Sequence, residues 1–209
     1  ISRTVIVNYY KLGTLPLEVV NFFKEELLKR KDPFLPYQWI HFDEYLHEEF
    51  LKIFTNADLK IQRSNSNTKI IQKAFYSDPG HGFKIHKDGS KCKSALNIAL
   101  SCNKDDWVRW YDDDHINKIN SKLKLTNNLF RNYGTSRNTD IDDYESVQFT
   151  DALHTEIGDV YVLNVDKFHS FKCIGNEPRI ILQTKFQGFP DVETIFTSLK
   201  ENSFNCIQK

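Results

Sequence analysis

The 209-residue chain contains no methionine, and its four cysteines, at 92, 102, 173 and 206, form no Cys-x-x-Cys pair. That spacing excludes a zinc ribbon, and so few cysteines in a chain of this length exclude a disulfide framework. Free thiols in a reducing cytoplasm are the expectation. The chain starts at Ile1 and lacks Met, so its natural start is expected to precede it. No apolar run approaches the roughly 18 residues that a membrane helix needs. Neither charge is in excess, because 28 Lys and Arg residues balance 28 Asp and Glu residues. A nucleic-acid partner, which calls for a basic footprint, is therefore not expected. Nor is a polybasic membrane binder. What is present is a 40% hydrophobic fraction, enough for a real core. The length suits one generous domain or at most two small ones.

The first third reads as helical after a short strand over Thr4–Asn8. Val19, Val20, Phe22, Phe23, Leu27 and Leu28 recur near helical spacing, with charged residues between them. Pro33 and Pro36 end that helix, and a second covers roughly Asp43 to Phe54. From residue 69 the texture changes to short runs rich in Ile, Val, Phe, Tyr and Trp. They cover Lys69–Tyr76, Phe83–His86, Ala95–Leu100, Trp107–Tyr111, Val147–Thr150, Val160–Asn164, Phe168–Cys173 and Arg179–Phe186. Turn pairs such as Asp88-Gly89 and Gly158-Asp159 separate them. Helices followed by about eight short strands suggest a jelly roll with a helical flank. Residues 1–68 form the flank, 69–187 the β core, and 188–209 a tail or helix. Residues 112–144, dense in Asp, Asn, Lys and Ser, interrupt this pattern and read as a lid or a disordered insertion.

The chemistry concentrates in His86-Lys-Asp88. On a strand, positions i and i+2 share a face, so an imidazole nitrogen and a carboxylate oxygen converge. A catalytic metal needs a third ligand, and His169, beyond the Gly158-Asp159 turn, is the best candidate. Two His and one carboxylate make the facial triad of non-haem iron(II) oxygenases, which leaves positions open for O2. Ten residues further lies Arg179. An odd-numbered hairpin loop over 174–178 would bring it to the face of His169, where it would pair with a dicarboxylic co-substrate.

These residues resemble the iron(II)/2-oxoglutarate-dependent dioxygenases, which show His-x-Asp, a distant His and a basic residue about ten positions later. Gly80-x-x-Phe83-x-x-His86-x-Asp88 resembles the corresponding run of the prolyl-hydroxylase-like branch. The chain departs from that branch in carrying Phe83 in place of a tyrosine and Arg179 in place of a lysine. The resemblance covers roughly residues 69–187. It implies a mainly β, cupin-like double-stranded β-helix with the N-terminal helices packed on the barrel. It also implies Fe(II), 2-oxoglutarate and O2 as cofactor and co-substrates, with His86, Asp88 and His169 on the metal. Arg179 would then hold 2-oxoglutarate, with Asn97 and Tyr111 beside it. The activity implied is hydroxylation of a protein side chain, an amino acid or a small metabolite.

Blander readings stand beside these. His86 and Asp88 also fit a strand end and its turn. His154-Thr-Glu156 is a rival His-x-carboxylate pair. Asp112, Asp113, Asp114, Asp140, Asp142 and Asp143 lack calcium-loop spacing and read as a solvated acidic loop. Lys185 resembles a second basic residue of nucleic-acid demethylases, but equally reads as a strand-end charge. A non-catalytic jelly-roll binding module, or a cupin-like metal enzyme that does not use 2-oxoglutarate, are the alternatives. Acid bordering the proposed lid would favour a cationic or neutral substrate.

Overall fold

The computed structural model describes residues 7–53, 69–88, 92–126, 141–187 and 191–201. Among them the order is β1 (Tyr9–Thr14), α1 (Leu17–Arg30), β2 (Tyr37–His41), α2 (Glu44–Ile53), β3 (Lys69–Ser77), β4 (Gly82–His86), β5 (Cys92–Ser101) and β6 (Trp107–Trp110). Then follow α3 (Asp113–Thr126), β7 (Asp151–Leu153), β8 (Asp159–Asn164), β9 (His169–Lys172), β10 (Arg179–Gln187) and α4 (Val192–Glu201). The strands form two antiparallel sheets, ordered β1-β8-β5-β10-β3-β2 and β4-β9-β6-β7. This is the mainly β jelly roll expected, with helices on its flank.

Alternation along the strands of the larger sheet divides its two faces. Ile180 and Leu182 of β10 join Ala74, Leu96, Ile98 and Val162 in a core shared with Val20, Phe23 and Leu27 of α1, Leu46 and Phe50 of α2, and Ile195 of α4. Each large apolar side chain buried there contributes about 1.5–3 kcal/mol. The other parity, Arg179, Ile181, Gln183 and Lys185, faces the space between the sheets. One strand therefore both anchors the helices and furnishes the cavity.

Several sequence expectations are corrected here. No strand is found at Val147–Thr150; the strand lies just beyond, at Asp151–Leu153. Of Thr4–Asn8, residues 4–6 lie outside the described residues, and the strand begins at Tyr9. The strand β2 was not anticipated. Residues 113–126 of the supposed insertion form helix α3. Asp112 Oδ1 accepts from the His115 N–H at 2.8 Å, so the acidic run is a helix start and not a free loop. Asp43 and Asp191 cap α2 and α4 in the same way. Residues 127–140 lie outside the described residues, and no described residue of 112–144 lines the cavity. The lid reading therefore gains no support from α3.

Gly158 sits at φ +90° in the turn before β8, and a Cβ there would come within 2.9 Å of the Leu15 carbonyl oxygen. Its N–H donates to Ala99 and its carbonyl accepts from Leu15, which ties the turn to β5 and to the end of β1. Only glycine fits that approach.

Candidate metal centre

β4 and β9 are neighbours, and their register sets His86 directly opposite His169. The two rings lie with centroids 4.3 Å apart. Asp88, just past the end of β4, is fixed by its N–H donating to the Val165 carbonyl at 3.0 Å. One ligand atom from each of His86, Asp88 and His169 lies within 4.8 Å of the others, the one such group of three among the described residues. His86 Nε2 is 3.7 Å from Asp88 Oδ1.

The second ring nitrogens decide which atoms face the common point. His86 Nδ1 is 2.8 Å from the Lys84 carbonyl oxygen, and His169 Nδ1 is 2.9 Å from that of Lys167. A carbonyl only accepts, so each Nδ1 carries the proton and each Nε2 presents a lone pair. Burial, and then the neighbouring His169, push the His86 pKa down to about 3. Burial lowers that of His169 also. Both rings are therefore neutral, as metal ligation requires. Burial alone would raise the Asp88 carboxyl, yet its pKa is held below the ordinary value; with both rings neutral, the cation beside it is Lys185. Two neutral imidazoles and one carboxylate are the donor set that suits iron(II) with open positions.

These groups line a cavity of about 290 Å³ between the sheets. Arg179 reaches the same cavity and is only 4% exposed. Its guanidinium lies 5.0 Å from the Phe171 ring centroid, and its Nε has no hydrogen-bond partner. A buried cation with an orphan donor suits a carboxylate of a ligand. The expected hairpin between His169 and Arg179 does not exist. β9 belongs to the smaller sheet and β10 to the larger, so the chain crosses between sheets. The two side chains meet across the cavity instead of along one face.

Asn97 of β5 lines the cavity beside its register partner Gln183, and the side-chain oxygens of both lack a partner. Tyr111 does not line it. Parity turns Val108 of β6 inward, while Tyr111, beyond the strand, packs with Ile85, Trp107 and Ile116. Its hydroxyl lies 2.6 Å from Ser170 Oγ. The rival His154 also stands apart, its Nδ1 2.9 Å from the Asp106 carbonyl oxygen.

Tyr37, Trp39 and Lys73 were not anticipated at the site, and Lys185 was weighed only beside a strand-end reading. Lys185 is not a surface charge: its Nζ is 2.7 Å from Asp88 Oδ2 and its side chain is 14% exposed. Tyr37 and Trp39 of β2 and Lys73 of β3 complete the wall. Tyr37 stacks on Phe83 at 5.7 Å, and Phe83 in turn meets the edge of His86. The period-2 pattern of Tyr37-Gln-Trp39-Ile-His41 was the available signal for that strand.

No protein-family model and no characterised protein sequence matches the chain. Solved structures do match. HygX from Streptomyces hygroscopicus, with nickel and 2-oxoglutarate bound, superposes with TM-score 0.58 at 14% identity, over 86% of this chain and 82% of that one. A Pseudomonas putida prolyl-4-hydroxylase gives 0.52 at 13%, over 88% and 94%. The viral collagen prolyl hydroxylase vCPH from Paramecium Bursaria Chlorella virus-1, in its 2-oxoglutarate complex, gives 0.51 at 11%, over 88% and 97%. The chain has the jelly-roll fold of 2-oxoglutarate oxygenases. Within that fold class, it carries a candidate two-histidine, one-carboxylate centre at His86, Asp88 and His169.

Proposed function

We propose that the chain is an Fe(II)- and 2-oxoglutarate-dependent oxygenase that hydroxylates a small molecule or a protein side chain. One observation carries the reading. Two Nε2 lone pairs and a carboxylate converge in the cavity that also holds the Arg179 guanidinium, whose Nε has no partner. His86, His169 and Asp88 would hold the metal, and Lys185 would steady the second oxygen of Asp88. Arg179 would pair with the distal carboxylate of 2-oxoglutarate, with the Asn97 amide beside it. Phe75, Phe83 and Phe171 wall the site with apolar surface that excludes water. When bound, iron(II) and 2-oxoglutarate supply oxidative decarboxylation to succinate and CO2, and with it the oxidant for a C–H bond.

A non-catalytic binding module has no use for three converging ligand atoms, and a metal enzyme that does not use 2-oxoglutarate has no use for Arg179. Among the described residues no helix is long and apolar enough to cross a membrane. Cys92, Cys102 and Cys173 are free thiols, which supports a reducing, cytoplasmic setting. The test is succinate formation with Fe(II), 2-oxoglutarate and O2. Turnover that needs all three supports the proposal, and turnover indifferent to Fe(II) defeats it.

A further inference from the structure

The charges facing the cavity are uneven. Four cations, Lys73, Lys87, Arg179 and Lys185, meet one carboxylate, Asp88. Lys87 is neutralised outside the wall by its ion pair with Asp113. Lys185 is matched by Asp88, the carboxylate assigned to the metal. Lys73 has no carboxylate within ion-pair distance among the described residues. Its Nζ instead lies 3.4 Å from the centroid of the Trp39 ring, and Lys185 Nζ lies 5.7 Å from the same ring. Two ammonium groups therefore flank one indole.

The imbalance persists in a loaded site. A divalent ion and Arg179 carry three positive charges; Asp88 and 2-oxoglutarate carry three negative ones. The ammonium of Lys73 remains with no anion of the protein assigned to it, and that of Lys185 shares Asp88 with the metal. Burial, followed by repulsion from Lys185, already pushes the Lys73 pKa down to about 8, so the wall is held against its own charge. Two partly desolvated cations facing one cavity favour an anion.

Resting on the oxygenase reading, we infer that the substrate is a small acid whose carboxylate or phosphate group sits against Lys73 and Lys185, with its apolar body on Trp39 and Tyr37. This reverses the expectation of a cationic or neutral substrate. The acids that suggested it are turned elsewhere: Asp113 pairs with Lys87, Asp142 pairs with Lys84, and neither lines the cavity.

The test is calorimetric titration of protein loaded with Zn(II) and saturated with 2-oxoglutarate. The probes share one body: 3-phenylpropanoate, its uncharged amide, 3-phenylpropylamine and 2-phenylethyl phosphate. At least one anion should bind about tenfold or more tighter than the amide, a difference of about 1.4 kcal/mol, and the amine weakest. Whichever anion is preferred identifies the group. In Lys73→Gln the anion-to-amide ratio should fall toward one, and in Lys73→Arg it should be retained. An amide bound as tightly as both anions overturns the inference, as does an unchanged ratio in Lys73→Gln. The 2-oxoglutarate titration is read first. Failure of that step refutes the cofactor assignment alone, because the anion ratio is then measured on cofactor-free protein.

Discussion

Replacing Arg179 by methionine should stabilise the cofactor-free protein while removing its affinity for 2-oxoglutarate. The guanidinium is 4% exposed, its Nε has no partner, and burial pulls its pKa below the ordinary arginine value. A buried donor left unpaired costs about 1–3 kcal/mol. Methionine fills similar length without the charge. Its sulfur against Phe171 replaces the cation–π contact at roughly equal strength, about 1 kcal/mol. The balance is a gain of about 1–3 kcal/mol, which raises Tm by roughly 2–12 °C in a chain of this size. The same substitution removes a charge-assisted pair worth about 3 kcal/mol, so 2-oxoglutarate should bind at least about 100-fold more weakly. Urea unfolding of the metal-free protein reads the first effect, and titration of the Zn(II)-loaded protein reads the second. A variant destabilised by more than about 1 kcal/mol with unchanged 2-oxoglutarate affinity would refute the reasoning. Arg179 would then be a structural cation.

Other consequences follow from the same geometry. Tyr111→Phe removes the hydroxyl partnered by Ser170 and should lower stability by about 1 kcal/mol. It should leave 2-oxoglutarate affinity unchanged in calorimetry. Gly158→Ala meets both a positive φ and the Leu15 carbonyl, and should destabilise the fold by about 1–3 kcal/mol in denaturant. Anion preference should decline as pH rises through about 8, where Lys73 loses its proton. The groups acting on Lys73 are Lys185, Asp88 and Cys92. Its folded pKa lies below the usual 10.5, so between about 8 and 10.5 the unfolded chain binds more protons. Stability from this group therefore rises with pH across the window in which anion binding is lost. Opposite slopes in titration and in unfolding check the assignment.

The candidate centre was legible where its spacing is local. His86 and Asp88 are two residues apart, and that period alone places them together. His169 was reachable through its Gly158-Asp159 turn and its distance from Arg179. The reason given for Arg179 was mistaken, because a hairpin was assumed where the chain passes from one sheet to the other. Parity cannot report such a crossing. Lys73 and Trp39 were illegible for a related reason, and Lys185 could not be told from a strand-end charge. The three meet through register across β2, β3 and β10, and β10 lies about a hundred residues beyond β3. Helix α3 was legible but overlooked. Asp112 is a good N-cap, and Ile116, Ile119 and Leu123 follow at helical spacing. The density of polar residues around them obscured the period.

The most direct measurement of the central claim is 2-oxoglutarate binding with and without a divalent ion, in the wild type and in His86→Ala. The account predicts one ion and one 2-oxoglutarate per chain, with 2-oxoglutarate binding tightened at least tenfold by the ion. His86→Ala should lose both the ion and that tightening. Binding of 2-oxoglutarate that is equally tight without metal, and unaltered in His86→Ala, would contradict it.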